Sequence, residues 1–147
     1  MMATSEVIEI LKELLVDEQH GLPVRLREST VFVSQMGTRQ IAAVNRMAQA
    51  GREHCAELAF LILEMGGTPG PRGANAATAD LHYQDIRHAL PRLAADRESL
   101  VELYELARDR LAAEPIVTQA LNKMLARHRQ ELEEIRGLIA GNLTPAA

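Results

Sequence analysis

The sequence is poor in the residues that build β-sheets and disulfide-linked domains. Its 147 residues include no tryptophan, two phenylalanines, two tyrosines and one cysteine, Cys55. A single cysteine excludes a disulfide within the chain and fits a reducing compartment. Alanine, leucine, glutamate and arginine are abundant instead, and such a composition is typical of helices. We therefore expect an all-α protein with one domain, residues 1–147, around one core.

Long apolar runs and concentrated basic segments are also missing. No apolar stretch reaches the roughly 18 residues that a membrane-spanning helix needs, and the first residues, MMATSEVIEILKE, lack the basic-then-apolar pattern of a secretion signal. The net charge is −4, with acidic and basic residues interspersed, whereas nucleic-acid binding usually requires a concentrated basic face. We expect a cytoplasmic protein that binds neither nucleic acid nor membranes.

Apolar residues recur at helical spacing in four segments. Gly21 and Pro23 fall inside the first segment, so we expect a kink there or, alternatively, a break into two helices. A glycine- and proline-rich stretch from Gly66 to Gly73 follows the second segment, and the connection is long enough to favour a crossover along the bundle. The predicted helices span about residues 5–34, 39–65, 78–113 and 115–140.

Each predicted helix carries a polar residue in its otherwise apolar row. These residues are Glu18, His54, Arg97 with Asp96 beside it, and His128. Because the crossover topology fixes the direction of each helix and the rise is about 1.5 Å per residue, they lie at similar depth, within about one turn. We therefore predict a single polar layer in the interior of the bundle.

Two hypotheses explain such a layer, because a buried charge is costly without a partner. In one, Glu18, His54, Asp96 and His128 bind a single ion of iron, manganese or zinc, for which carboxylate and imidazole are suitable ligands. In the other, no metal is bound, and Arg97 supplies the positive charge by pairing with Glu18 or Asp96. Since a guanidinium and a divalent cation compete for the same carboxylates, Arg97 favours the second hypothesis.

Three segments resemble small bacterial domains of the ferritin-like superfamily: REHCAEL at 52–58, LEMGGTPG at 63–70 and LHYQDIRHALPRL at 81–93. The resemblance implies a ferritin-like four-helix bundle with a long crossover between the second and third helices. The di-iron members of this superfamily use a carboxylate from the first and third helices, and Glu-x-x-His from the second and fourth.

The match to the di-iron ligands is incomplete. Glu18, His54 and His128 match, but Gly51 and Leu125 stand three residues before the histidines, where the family pattern has glutamate. The resemblance therefore does not imply di-iron ferroxidase or oxygenase chemistry. We predict a non-catalytic binding or structural protein that forms a homodimer through an exposed apolar strip. The alternative is a metal-dependent redox or iron-handling protein with one ion in the interior layer.

Overall fold

The computed structural model describes residues 2–23, 38–70 and 86–143, and no strand occurs within these ranges. Its helices are α1 (Thr4–Gln19), α2 (Thr38–Glu64), α3 (Ile86–Arg110) and α4 (Pro115–Leu143). The all-α class predicted from composition is therefore confirmed. Residues 78–85 of the third predicted helix lie outside the described ranges.

The ends of α2 and α4 closely match the predicted spans 39–65 and 115–140, and each has a local cause. After α2, Gly66 adopts a φ of 84°, and the Gly67 amide donates to the Ile62 carbonyl at 2.9 Å. This is a Schellman motif, in which glycine takes the left-handed conformation that ends a helix. At the start of α4, Pro115 occupies a position where its missing amide hydrogen costs nothing.

The single helix predicted over residues 5–34 is interrupted in the structure. α1 ends at Gln19, His20 and Gly21 form the connection, and helical backbone resumes at Leu22. Pro23 has no amide hydrogen to donate to a preceding turn, so it fits the start of the new helical segment, where none is needed. The structure thus shows a break rather than a kink, while residues 24–34 lie outside the described part of the chain.

The buried apolar side chains form two clusters, one towards each end of the bundle. The larger cluster takes residues from the start of α1, the ends of α2 and α3 and the start of α4. The smaller cluster takes residues from just after α1, the starts of α2 and α3 and the end of α4. The larger cluster includes Val7, Leu11, Leu58, Ile62, Leu100, Leu111 and Leu121, and the smaller one includes Leu22, Val44, Met47, Leu90, Leu93 and Ile135.

This arrangement fixes the topology. Both α2 and α3 run from the smaller cluster towards the larger one, so the two helices are parallel. Parallel directions of α2 and α3 agree with the predicted crossover, and residues 71–85 of that connection lie outside the described ranges. The two clusters leave a gap in the apolar core at mid-height, and the polar residues of the predicted layer occupy it.

The outer surfaces of the helices carry several large apolar side chains. Phe60 and Leu63 are exposed on α2, Leu103 and Leu106 on α3, and Ile116 on α4. Exposed apolar side chains are what a homodimer would bury, and the homodimer stays a prediction. Among the described helices, none combines the length and the apolar character that crossing a membrane requires.

Candidate metal centre

All four helices contribute a buried polar side chain to the gap between the two apolar clusters. We call this set the polar layer, and its exposed fractions are Glu18 1%, His54 8%, Arg97 1%, His128 0% and Glu131 3%. The predicted convergence of four helices at one depth is therefore what the structure shows. Such a layer persists in a dry interior only if its charges and hydrogen-bonding groups satisfy one another or bind an ion.

One oxygen of Glu18 is the meeting point of three side chains. His54 Nδ1 lies 3.1 Å from Glu18 Oε1, the Tyr104 hydroxyl donates to the same atom at 2.6 Å, and His128 Nε2 contacts it as well. The two imidazole rings meet edge to face, with centroids 4.8 Å apart. Glu18, His54 and His128 thus offer three potential ligand atoms that lie within 4.8 Å of one another.

The second nitrogen of His128 faces another carboxylate. His128 Nδ1 lies 2.6 Å from Glu131 Oε1, because residues three apart on α4 share a face. When Nδ1–H donates to Glu131, the lone pair of Nε2 is directed at Glu18. A carboxylate that fixes the tautomer of a histidine in this way is typical of metal-ligating histidines.

Arg97 lies on the other side of His128 and pairs with its own neighbour in sequence. Its Nη2 and Nε atoms donate to Asp96 Oδ2 at 2.6 Å and 3.0 Å, and the Leu22 amide donates to the same oxygen at 3.2 Å. A Cβ at Gly21 would lie only 2.9 Å from Arg97 Nη2. The absence of a side chain at Gly21 therefore leaves room for the guanidinium.

The structure brings together three of the four predicted metal ligands, Glu18, His54 and His128. The fourth, Asp96, has a side chain that is 23% exposed and binds Arg97 instead. Two members of the site, Glu131 and Tyr104, are absent from the predicted ligand set. The His-x-x-Glu spacing of residues 128–131 is a signal for Glu131, because it places both side chains on one helix face.

The polar surroundings shift the pKa values of the layer in opposite directions. Burial alone would raise the pKa of Glu18, but hydrogen bonds with His128 and His54 outweigh it and hold this pKa well below the ordinary value of 4.5. Burial alone would lower the pKa of His128, but hydrogen bonds with Glu131 and Glu18 raise it above the ordinary value of 6.5. Burial and the Glu18 carboxylate raise the pKa of Tyr104 well above 10.0.

These shifts predict that the metal-free protein is most stable between about pH 4.5 and pH 6.5. The lowered pKa of Glu18 contributes stability above its ordinary value of 4.5, and this contribution is lost as the pH falls. The raised pKa of His128 contributes stability that is complete below 6.5 and is lost as the pH rises through the folded-state value. Urea unfolding in the presence of a chelator, across this pH range, measures both effects.

The control for the pH dependence is a histidine outside the polar layer. His128→Gln should abolish the decline in unfolding free energy on the alkaline side, whereas His20→Gln should leave it in place. A wild-type protein whose unfolding free energy does not fall above about pH 6.5 would contradict the assignment.

No protein-family model and no curated protein matches the chain. Solved structures do match, among them the following three. A ferritin-like, diiron-carboxylate protein from Bacillus anthracis str. Ames has a TM-score of 0.76 and 21% identity, over 94% of this chain and 99% of that one. Antigen TpF1 from Treponema pallidum has a TM-score of 0.73 and 15% identity, over 92% of each chain.

The third structure is the bacterioferritin of Rhodobacter capsulatus, which is described with a metal-free dinuclear site and haem iron. It has a TM-score of 0.70 and 18% identity, over 95% of this chain and 87% of that one. All three structures align with nearly the whole chain at low sequence identity. The chain therefore has the ferritin-like fold, as the sequence resemblance predicts.

Proposed function

We propose that this protein binds a single divalent transition-metal ion inside its ferritin-like bundle, with Glu18, His54 and His128 as ligands. The observation that carries the proposal is the pair of carboxylates on the two sides of His128, Glu131 at Nδ1 and Glu18 at Nε2. With Nδ1–H donated to Glu131, the Nε2 lone pair and a Glu18 oxygen face each other. Both are electron-rich, so a cation has to lie between them, either a proton on Nε2 or a metal ion.

The donor set indicates the class of metal. Two imidazole nitrogens and one carboxylate oxygen suit iron(II), manganese(II) or zinc, whereas magnesium and calcium prefer oxygen ligands. When bound, such an ion supplies a Lewis acid with coordination positions left open, and iron or manganese also supplies redox chemistry. The protein's own residues orient the ligands: Glu131 fixes the tautomer of His128, and the Tyr104 hydroxyl holds the Glu18 carboxylate.

A two-iron centre of the kind named for the Bacillus anthracis structure does not fit these residues. The positions three residues before the two histidines are Gly51 and Leu125, both buried and neither able to donate an oxygen from its side chain. Without carboxylates there, nothing at these positions bridges a second ion to the first. The proposal is therefore limited to one ion.

A second function is favoured by one observation, the burial of Arg97 beside Asp96, Glu131 and His128. In that case the guanidinium supplies the positive charge, a proton remains on His128, and the protein is a non-catalytic binding or structural bundle. The two functions differ in whether purified protein retains metal.

Elemental analysis of untagged protein, purified with iron, manganese and zinc supplied, separates them. The metal function predicts one ion per chain in the wild type and none in His54→Ala or His128→Ala, because each substitution removes one ligand. His20→Ala, outside the layer, should retain the ion, and circular dichroism confirms that each variant is folded. Absence of metal from the wild type supports the metal-free bundle, and metal retained by both ligand variants refutes the assignment of ligands.

A further inference from the structure

We infer that the Arg97 guanidinium takes the place of a second cation, so that the interior holds one metal ion beside one fixed positive charge. The inference rests on the proposed function and concerns how many ions the site accepts. It predicts that the side chain of Arg97 keeps a second ion, one not bridged to the first, out of the space between Asp96 and Glu131.

The surroundings of Arg97 are those of a bound cation. The side chain is 1% exposed, and carboxylate oxygens from two helices approach its guanidinium: Asp96 Oδ2 at 2.6 Å and Glu131 Oε1 at 3.6 Å. His128 Nδ1, whose hydrogen is donated to Glu131, lies 3.4 Å from the guanidinium. His128 is shared, since its other nitrogen points to Glu18 in the proposed metal site.

Charge balance in the interior limits the number of ions. Glu18, Asp96 and Glu131 carry three negative charges, which Arg97 and one divalent ion neutralise when both histidines are neutral. A second divalent ion would leave an excess of two positive charges in a largely buried site, which is costly. With Arg97 present, the layer is therefore balanced at one ion.

Without the guanidinium, one divalent ion leaves the three carboxylates with one uncompensated negative charge. Asp96 and Glu131 would then lack their cation, and Glu131 Oε2 is already buried without a hydrogen-bond partner in the described part of the chain. Two carboxylates that face a vacated space can bind a divalent ion whose remaining ligands are water. A neutral residue at position 97 should therefore admit a second ion.

The test is the number of Mn²⁺ ions bound per chain at saturation, measured by calorimetric titration and by elemental analysis after desalting. We expect one ion in the wild type, two in Arg97→Gln and one in Arg97→Lys, which keeps the positive charge. The double variant Arg97→Gln/Asp96→Asn should return to one ion, because it removes an acidic group together with the guanidinium. Arg136→Gln is the matched control, since Arg136 also pairs with α3, through Glu98, but on the surface.

The outcomes separate this inference from the proposed function. One ion in both the wild type and Arg97→Gln overturns the inference and leaves the function intact, and two ions in the wild type also overturn it. No ion in the wild type refutes the function on which the inference rests. If Arg97→Gln folds only when Mn²⁺ is present, ions are counted on that folded form. If it does not fold at all, two ions bound to Arg97→Lys or to the double variant overturn the inference.

Discussion

Replacing Arg97 with methionine should lower the unfolding free energy of the metal-free protein by about 3–5 kcal/mol. Methionine keeps most of the packing volume but leaves the carboxylates of Asp96 and Glu131 without their cation. Glu131 is 3% exposed and stays largely desolvated when methionine fills the space, whereas the Asp96 side chain is 23% exposed and is partly solvated. We therefore expect a loss of unfolding free energy in the lower part of that range. Urea unfolding in the presence of a chelator measures this loss.

Arg136→Met is the matched control for this stability loss. Arg136 lies on α4 and pairs with Glu98 of α3 at 2.9 Å, but both side chains are 51% exposed, and exposed pairs contribute little. The triple variant Arg97→Met/Asp96→Asn/Glu131→Gln should regain part of the lost stability, because neutral partners no longer need a buried cation. An effect of Arg97→Met as small as that of Arg136→Met would show that the layer does not depend on the guanidinium.

Glu18→Gln should weaken divalent-metal binding by about 100-fold or more, since it removes the charged ligand while keeping the shape of the side chain. Glu18 Oε1 is where His54, His128 and Tyr104 converge, so no nearby carboxylate takes over its role. Competition of the protein with a chromophoric chelator for Zn²⁺ or Mn²⁺ measures the change in dissociation constant.

Two further glutamates turn this measurement into a graded test. Glu131 orients His128 without being a proposed ligand, so Glu131→Gln should weaken binding by about 10- to 100-fold. Glu98, on the surface of α3, should leave the affinity unchanged when replaced by glutamine. Wild-type affinity in Glu18→Gln, or a larger loss in Glu131→Gln than in Glu18→Gln, would contradict the assignment of the ligands.

The helical pattern of the sequence predicts most of the fold and the height of the site. α2 and α4 follow their predicted spans because glycine and proline mark their ends locally. The polar residues of four helices meet at one depth because a helix rises by a constant amount per residue. The sequence does not distinguish a kink from a break after α1, since a proline alone does not decide between kinking and ending a helix.

The helical pattern does not predict all the residues that make up the site. Glu131 and Leu132 are neighbours that are both buried, and helical spacing does not tell which one points at the layer. Tyr104 is predictable as an inward residue, but the reach of its hydroxyl to Glu18 depends on rotamers and helix packing. The height of Asp96 along its helix predicts a ligand, yet its direction about the helix axis places it against Arg97.

Anomalous diffraction from crystals grown with Mn²⁺ tests directly whether the polar layer binds a metal ion. We expect one anomalous peak per chain, bounded by the Glu18 carboxylate, His54 Nδ1 and His128 Nε2, with Arg97 still bound to Asp96. A peak between Asp96 and Glu131 instead, or no peak at the Glu18 site in crystals that bind Mn²⁺ elsewhere, would contradict the proposed metal site.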